Sequence, residues 1–130
     1  ERTVRMAHIL IIEDQEPLGI LYKSVLRKYN HESTFTTTGQ AGIEAALRDK
    51  PDLVILDLLL PGIPGIEVAR RLQESGILPG VPLIITIALD ELDAQTIAES
   101  LNATAVLNKP FNIESILSTV NGALATASKE

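Results

Sequence analysis

Strand-like and helix-like segments alternate five times along this chain, and that alternation limits the fold more than any other feature. His8 to Ile12 is a near-continuous apolar run. A helical stretch follows from about Gln15, with Pro17 in its first turn, where a missing amide is tolerated. Its apolar residues Leu18, Leu21, Tyr22, Val25, Leu26 and Tyr29 recur at helical spacing and predict a single inward face. Ser33 to Thr37 is short and polar and reads as an edge strand. A second helix is expected from about Gln40 to Arg48, with Ile43, Ala46 and Leu47 inward.

Leu53 to Leu56 is wholly apolar and bounded by turn residues, the pattern of a buried parallel strand. A third helix is expected over Gly65 to Glu74 with Val68, Ala69 and Leu72 inward, and Pro79-Gly80 marks a turn. Leu83 to Ile87 is the fourth strand. Asp90 is a candidate N-cap for a helix that shows Ala94, Ile97, Ala98 and Leu101 on one face. Ala105 to Leu107 is the fifth strand. Asn112 can cap the last helix, with Ile113, Ile116, Leu117, Val120 and Leu124 as its apolar positions, and Ala125 to Glu130 carries no pattern.

Five βα units joined by short connections imply a doubly wound five-stranded parallel sheet, an α/β fold with helices on both faces. Right-handed crossovers restrict the topology. The polar second strand belongs at an edge and the apolar strands one, three and four belong in the middle, which gives the order 2-1-3-4-5. The switch point then lies between strands one and three, where open α/β sheets bind ligands at the carboxyl ends of the strands. Glu13-Asp14 follow strand one, Asp57 ends strand three, and Lys109-Pro110 follow strand five, so these residues are expected to converge there. Each taken singly is an ordinary capping or surface residue; the convergence is what gives them weight.

The chain has 130 residues, 45% of them apolar, enough for one domain with a real core. We expect a domain over residues 7–125, with residues 1–6 and 126–130 flanking it. No apolar stretch approaches a membrane span of about 20 residues. Met6-Ala7-His8 leads straight into a strand with no leader pattern. Cysteine is absent, which excludes disulfides and thiolate metal sites and fits a cytoplasmic setting. The net charge of −6 and the 3% aromatic content offer no footprint for direct nucleic-acid binding.

Three carboxylates at one sheet edge repel one another, and a hard cation relieves that repulsion. Mg2+ takes oxygen ligands and needs only one or two carboxylates besides water and phosphate oxygens. Asp14 and Asp57 suit direct ligation, and the longer Glu13 can act directly or through water. With a lysine nearby as a point charge for phosphate, the set matches phosphoryl transfer to a carboxylate.

The chain resembles the receiver domain of two-component response regulators from about Ala7 to Ala125. The resemblance is carried by Glu13-Asp14, by Asp57 within Leu56-Asp57-Leu58, by Pro61-Gly62 and Gly65, by Ala88 after strand four, and by Lys109-Pro110-Phe111. The separations match as well, 43 positions from Asp14 to Asp57 and 52 from Asp57 to Lys109.

The resemblance implies that Asp57 accepts a phosphoryl group from a histidine kinase or histidine phosphotransfer protein. It implies that Glu13, Asp14, Asp57 and the Leu59 backbone carbonyl hold Mg2+, and that Lys109 and the Ala88 backbone contact the phosphoryl group. It makes Lys109-Pro110 a candidate cis peptide. It also implies a signalling domain rather than a turnover enzyme. Output would pass to a further domain or a downstream protein through the face of helix four, strand five and helix five, with homodimerisation open.

Two positions depart from the family pattern. The Ser or Thr expected one residue before Ala88 is Ile87, and the aromatic expected three residues before Lys109 is Val106. Thr86 is adjacent, but strand side chains alternate, so a one-residue offset points it to the other face. Leu59 and Leu89 flank the site where many relatives carry polar residues. The alternative reading is therefore an atypical receiver that binds its partner without regard to phosphorylation. A phosphatase using Asp57 as a turnover nucleophile is disfavoured, because a second Asp is expected two residues on and Leu59 stands there. Nucleotide or flavin binding is disfavoured because Glu13-Asp14-Gln15-Glu16-Pro17 offers no glycine-rich cradle.

Overall fold

The structure, a computed structural model, describes residues 7–88 and 91–128. The elements in chain order are β1 (His8–Ile12), α1 (Glu16–Lys28), β2 (Glu32–Thr36), α2 (Gly39–Arg48), β3 (Leu53–Asp57), α3 (Gly65–Glu74), β4 (Leu83–Ile87), α4 (Glu91–Ser100), β5 (Ala105–Asn108) and α5 (Ile113–Ser128). The five strands form one sheet in the order β2-β1-β3-β4-β5, every pair parallel. This is the expected fold.

The strand period of two divides the apolar residues into two cores. Ile9, Ile11, Leu53, Ile55, Ile84 and Leu107 pack with Tyr22, Val25 and Leu26 of α1 and Ile116, Val120 and Ala123 of α5. Leu10, Ile12, Val54, Leu56, Ile85 and Ile87 pack beneath α2, α3 and α4. β3 and β4 are buried at every position because both faces are covered. β2, at the edge, is nowhere fully buried, which is why polar residues are tolerated there.

Several expected inward residues face solvent instead. Leu47 is 58% exposed. α2 lies so close to the sheet that a Cβ on Gly42 would come within 2.4 Å of the Ile12 side chain. The contact row is therefore the small set Gly42, Ile43, Ala45 and Ala46. In α1 the buried arc is centred on Tyr22 and includes Gly19, so Leu21, turned about 100° from Tyr22, lies outside it. Tyr29 is the C-cap and has already left the helix.

Ile113, at the first position of α5, is half exposed. Asn112 caps α5 as expected, its Oδ1 accepting from the Ser115 amide at 2.8 Å. The helix continues to Ser128, through the segment in which the sequence shows no pattern. Asp90, expected to cap α4, lies outside the described residues, as does Leu89. None of the helices in the described residues is long and apolar enough to cross a membrane.

Candidate functional site

The parallel strands all point their carboxyl ends toward one edge, so the residues that end β1, β3 and β5 meet there. Glu13, one residue beyond β1, is fixed by its amide donating to the Thr36 carbonyl at 3.0 Å. Asp57 is the last residue of β3. Both are almost completely buried, unusual for carboxylates without compensating partners.

The partners are present. Glu13 Oε2 accepts from the Gln15 amide at 2.9 Å, and Asp57 Oδ1 accepts from the Leu59 amide at 3.1 Å. Lys109, immediately after β5, places Nζ 3.2 Å from Glu13 Oε1 and 3.3 Å from Asp57 Oδ2. One ammonium thus bridges the two buried acids. Asp14 stands beside them, and Glu13, Asp14 and Asp57 each offer an oxygen, all within 4.8 Å of one another.

Burial raises the proton affinity of Glu13, and the Asp57 charge adds to that; the Gln15 amide and Lys109 offset only part of it. For Lys109 burial works against the charged form. The carboxylates of Glu13 and Asp57 outweigh it, so the amine is held more firmly protonated than in water. Three carboxylates against one ammonium leave the edge negative. Clustered hard oxygens with an excess of negative charge fit a divalent cation of the Mg2+ type.

The loop that follows Asp57 is held down by Gly65. Its amide donates to the Leu58 carbonyl at 3.1 Å. A Cβ there would lie 2.4 Å from Leu58 Cα and 2.5 Å from the Asp57 carbonyl oxygen. Glycine is therefore required for the backbone of α3 to approach the strand end. Leu59 is 64% exposed on the rim, and Ala88 is exposed just past β4. The Lys109–Pro110 peptide is cis, as is Leu78–Pro79.

Ile87 and Val106 lie away from the acids, on the sheet face covered by α3 and α4, where Ile87 is fully buried and Val106 packs against that core. The register of β3, β4 and β5 is unbroken, with Asp57 opposite Thr86 and Thr86 opposite Leu107. Thr86 therefore shares the α1/α5 face with Asp57. The Thr86 hydroxyl and the Tyr22 hydroxyl are both fully buried and neither closes a hydrogen bond. In the sequence Tyr22 reads only as part of the apolar stripe of α1. The available signal was a phenol, a group that needs a partner when buried, on the stripe facing the acidic strand ends.

A family model described as the response regulator receiver domain matches residues 9–121. The chain is similar to sporulation initiation phosphotransferase F of Bacillus subtilis, 32% identical over 83% of this chain and 86% of that one. It is also similar to the uncharacterized transcriptional regulatory protein YkoG of the same organism, 33% identical over 90% of this chain. The chain spans only half the length of YkoG. Among solved structures, the chemotaxis response regulator CheY4 of Vibrio cholerae superposes with a TM-score of 0.84, covering 90% of this chain and 98% of that one. At 21% identity that likeness speaks for the fold alone.

Proposed function

The chain belongs to the response regulator receiver domains, and from that membership we propose that Asp57 is its phosphoacceptor, charged by a histidine kinase or a histidine phosphotransfer protein. The observation that carries this reading is the single Lys109 ammonium held by both Asp57 and Glu13 at a sheet edge with an excess of carboxylate. An Asp57 carboxylate oxygen attacks phosphorus and forms the new P–O bond. The P–N bond to the donor histidine breaks, and the imidazole leaves with that electron pair and takes up a proton.

Lys109 is already in contact with the attacking carboxylate and follows the growing negative charge. The Ala88 backbone, exposed at the end of β4, is assigned to the phosphoryl oxygens. Glu13, Asp14, Asp57 and the backbone carbonyl of Leu59 would hold Mg2+, whose chemistry is to neutralise charge on the transferring phosphoryl oxygens. The protein is assigned a cytoplasmic signalling role over residues 7–125, with residues 1–6 and 126–130 flanking. Its own catalysis is limited to self-phosphorylation and self-dephosphorylation. Output is assigned to the α4-β5-α5 face, toward a further domain, a downstream protein or a second copy.

The test is intact mass after incubation with Mg2+ and a small phosphodonor. The expected result is one added phosphoryl group in the parent chain and none in Asp57→Asn. Equal gain in both would sink the assignment. The burial of Ile87 in the α3/α4 core, with no hydroxyl at that position, favours a second reading, a binding module indifferent to phosphorylation. Partner affinity measured with and without beryllofluoride decides between them: a strong dependence on the mimic rules the second out.

A further inference from the structure

Among the described residues three buried side-chain polar atoms close no hydrogen bond, Tyr22 Oη, Thr86 Oγ1 and Asn108 Oδ1. Two of them lie on the face of the sheet that carries Asp57. Thr86 is the direct cross-strand partner of Asp57, and side chains at paired positions of parallel strands project to the same side. Tyr22 projects from α1 into the core on that side and is fully buried.

The two hydroxyls are neighbours. The two side chains interact within the α1/α5 core, but no hydrogen bond is closed between the Tyr22 and Thr86 hydroxyls. Burial first, and then the charges of Glu13 and Asp57, push the ionisation of Tyr22 far above the ordinary phenol range. Tyr22 therefore remains an O–H donor, and it feels the charge of the two acids.

A buried hydroxyl that closes no hydrogen bond carries a desolvation cost, so it gains from any partner that a nearby change of charge makes available. The Tyr22 O–H interacts with Thr86 and lies within the field of Glu13 and Asp57. Charge added at Asp57 changes that field, and only such a differential interaction can shift a side-chain equilibrium. The Tyr22 ring also has a mechanical partner. It packs on Phe111 with 5.9 Å between ring centroids and a tilt of 34°. Phe111 follows Lys109 and Pro110, so the segment that touches Asp57 through Lys109 touches Tyr22 two residues later.

We propose that Tyr22 and Thr86 are the hydroxyl pair that reads the state of Asp57, and that Phe111 passes their rearrangement to the corner between β5 and α5. This relay lies on the sheet face opposite Ile87 and Val106, neither of which carries a hydroxyl. It rests on the phosphoacceptor reading and adds to it how this chain reads out the phosphorylated state.

The chain has two tyrosines and no tryptophan, and Tyr29 is exposed, so Tyr29→Phe leaves Tyr22 as the sole tyrosine reporter. With Mg2+ and beryllofluoride, the near-ultraviolet dichroism of that variant is expected to change, and not to change when Asp57→Asn is added. Amide shifts over residues 108–115 are the second readout. Tyr22→Phe and Thr86→Val keep ring and shape but remove one hydroxyl each. Each is expected to lower those shift changes at least twofold while the phosphoryl mass gain persists, and Thr86→Ser is expected to restore them. Shift changes of parental size in both variants, with phosphoryl taken up, overturn the relay. Absence of any mass gain in the parent chain overturns the phosphoacceptor reading itself, and mass alone distinguishes that failure.

Discussion

Lys109 and Glu13, 96 positions apart in sequence, meet at 3.2 Å between Nζ and Oε1, and the same ammonium also serves Asp57. Lys109 is thus divided between two acids, and Glu13 keeps an unfavourable buried charge.

Removing that charge is expected to stabilise the chain without metal. Glu13→Gln retains the side-chain shape and leaves Lys109 with Asp57. We expect a higher melting temperature in metal-free buffer at neutral pH, because the raised proton affinity of Glu13 means that its charged form opposes folding there. With Mg2+ the order is expected to reverse, because the parent would gain stability from the ion and the variant would lack one of its proposed ligands. Thermal melts with and without Mg2+ check this, and a lower melting temperature for the variant in the metal-free arm contradicts it.

Gly65→Ala drives a methyl group into backbone, not into a side chain that can move aside. The atoms it meets belong to Leu58 and Asp57 themselves. A loss of about 2 kcal/mol in urea denaturation is expected, together with slower phosphoryl uptake, since the Asp57 carbonyl must shift. Gly122→Ala is the control. Its Cβ meets nothing within 4 Å, and within a helix the change is expected to stabilise by about 0.5–1 kcal/mol.

His31 supplies a pH dependence away from the acidic edge. It is buried, its Nδ1 accepts from the Ala7 amide at 3.4 Å, and burial lowers its pKa below 6.5. In the window between that lowered pKa and 6.5 the unfolded chain binds the proton and the folded chain does not. Stability from this residue is therefore lost as pH falls from 6.5 and regained as it rises. His31→Gln is expected to flatten this part of the curve of melting temperature against pH. An unchanged slope between pH 5 and 7 argues against it.

The sheet order and the meeting of Glu13, Asp14, Asp57 and Lys109 were legible because they follow from periodicity and from the direction of parallel strands. Strand β4 and helix α3 have the bounds that their apolar patterns and turn residues predict. Leu47 was misplaced because a hydropathy pattern says which residues favour burial but not how closely a helix sits; Gly42 against Ile12 sets that distance. Leu21 failed for an angular reason and Tyr29 because the helix ends before it. The far end of α5 is rich in alanine and weakly patterned, so its helicity was invisible to a search for apolar stripes. Strand alternation alone places Thr86 on the face opposite Ile87, and the unbroken register keeps it there. That it would meet Tyr22 there could not be read from either segment alone, since the contact joins a helix and a strand more than sixty positions apart.

The common direction of the five strands also makes the molecule polar in a practical sense. β1 begins, and α5 ends, at the edge opposite Asp57: Leu124 and Ala127 line a cleft with Lys50, Asp52, Gly80 and Val81, where β3 and β4 start. A fluorophore or immobilisation tether attached to that end stands about 16 Å, one strand length, from the Asp57 carboxylate. The domain can be held by its floor while its acidic roof stays free.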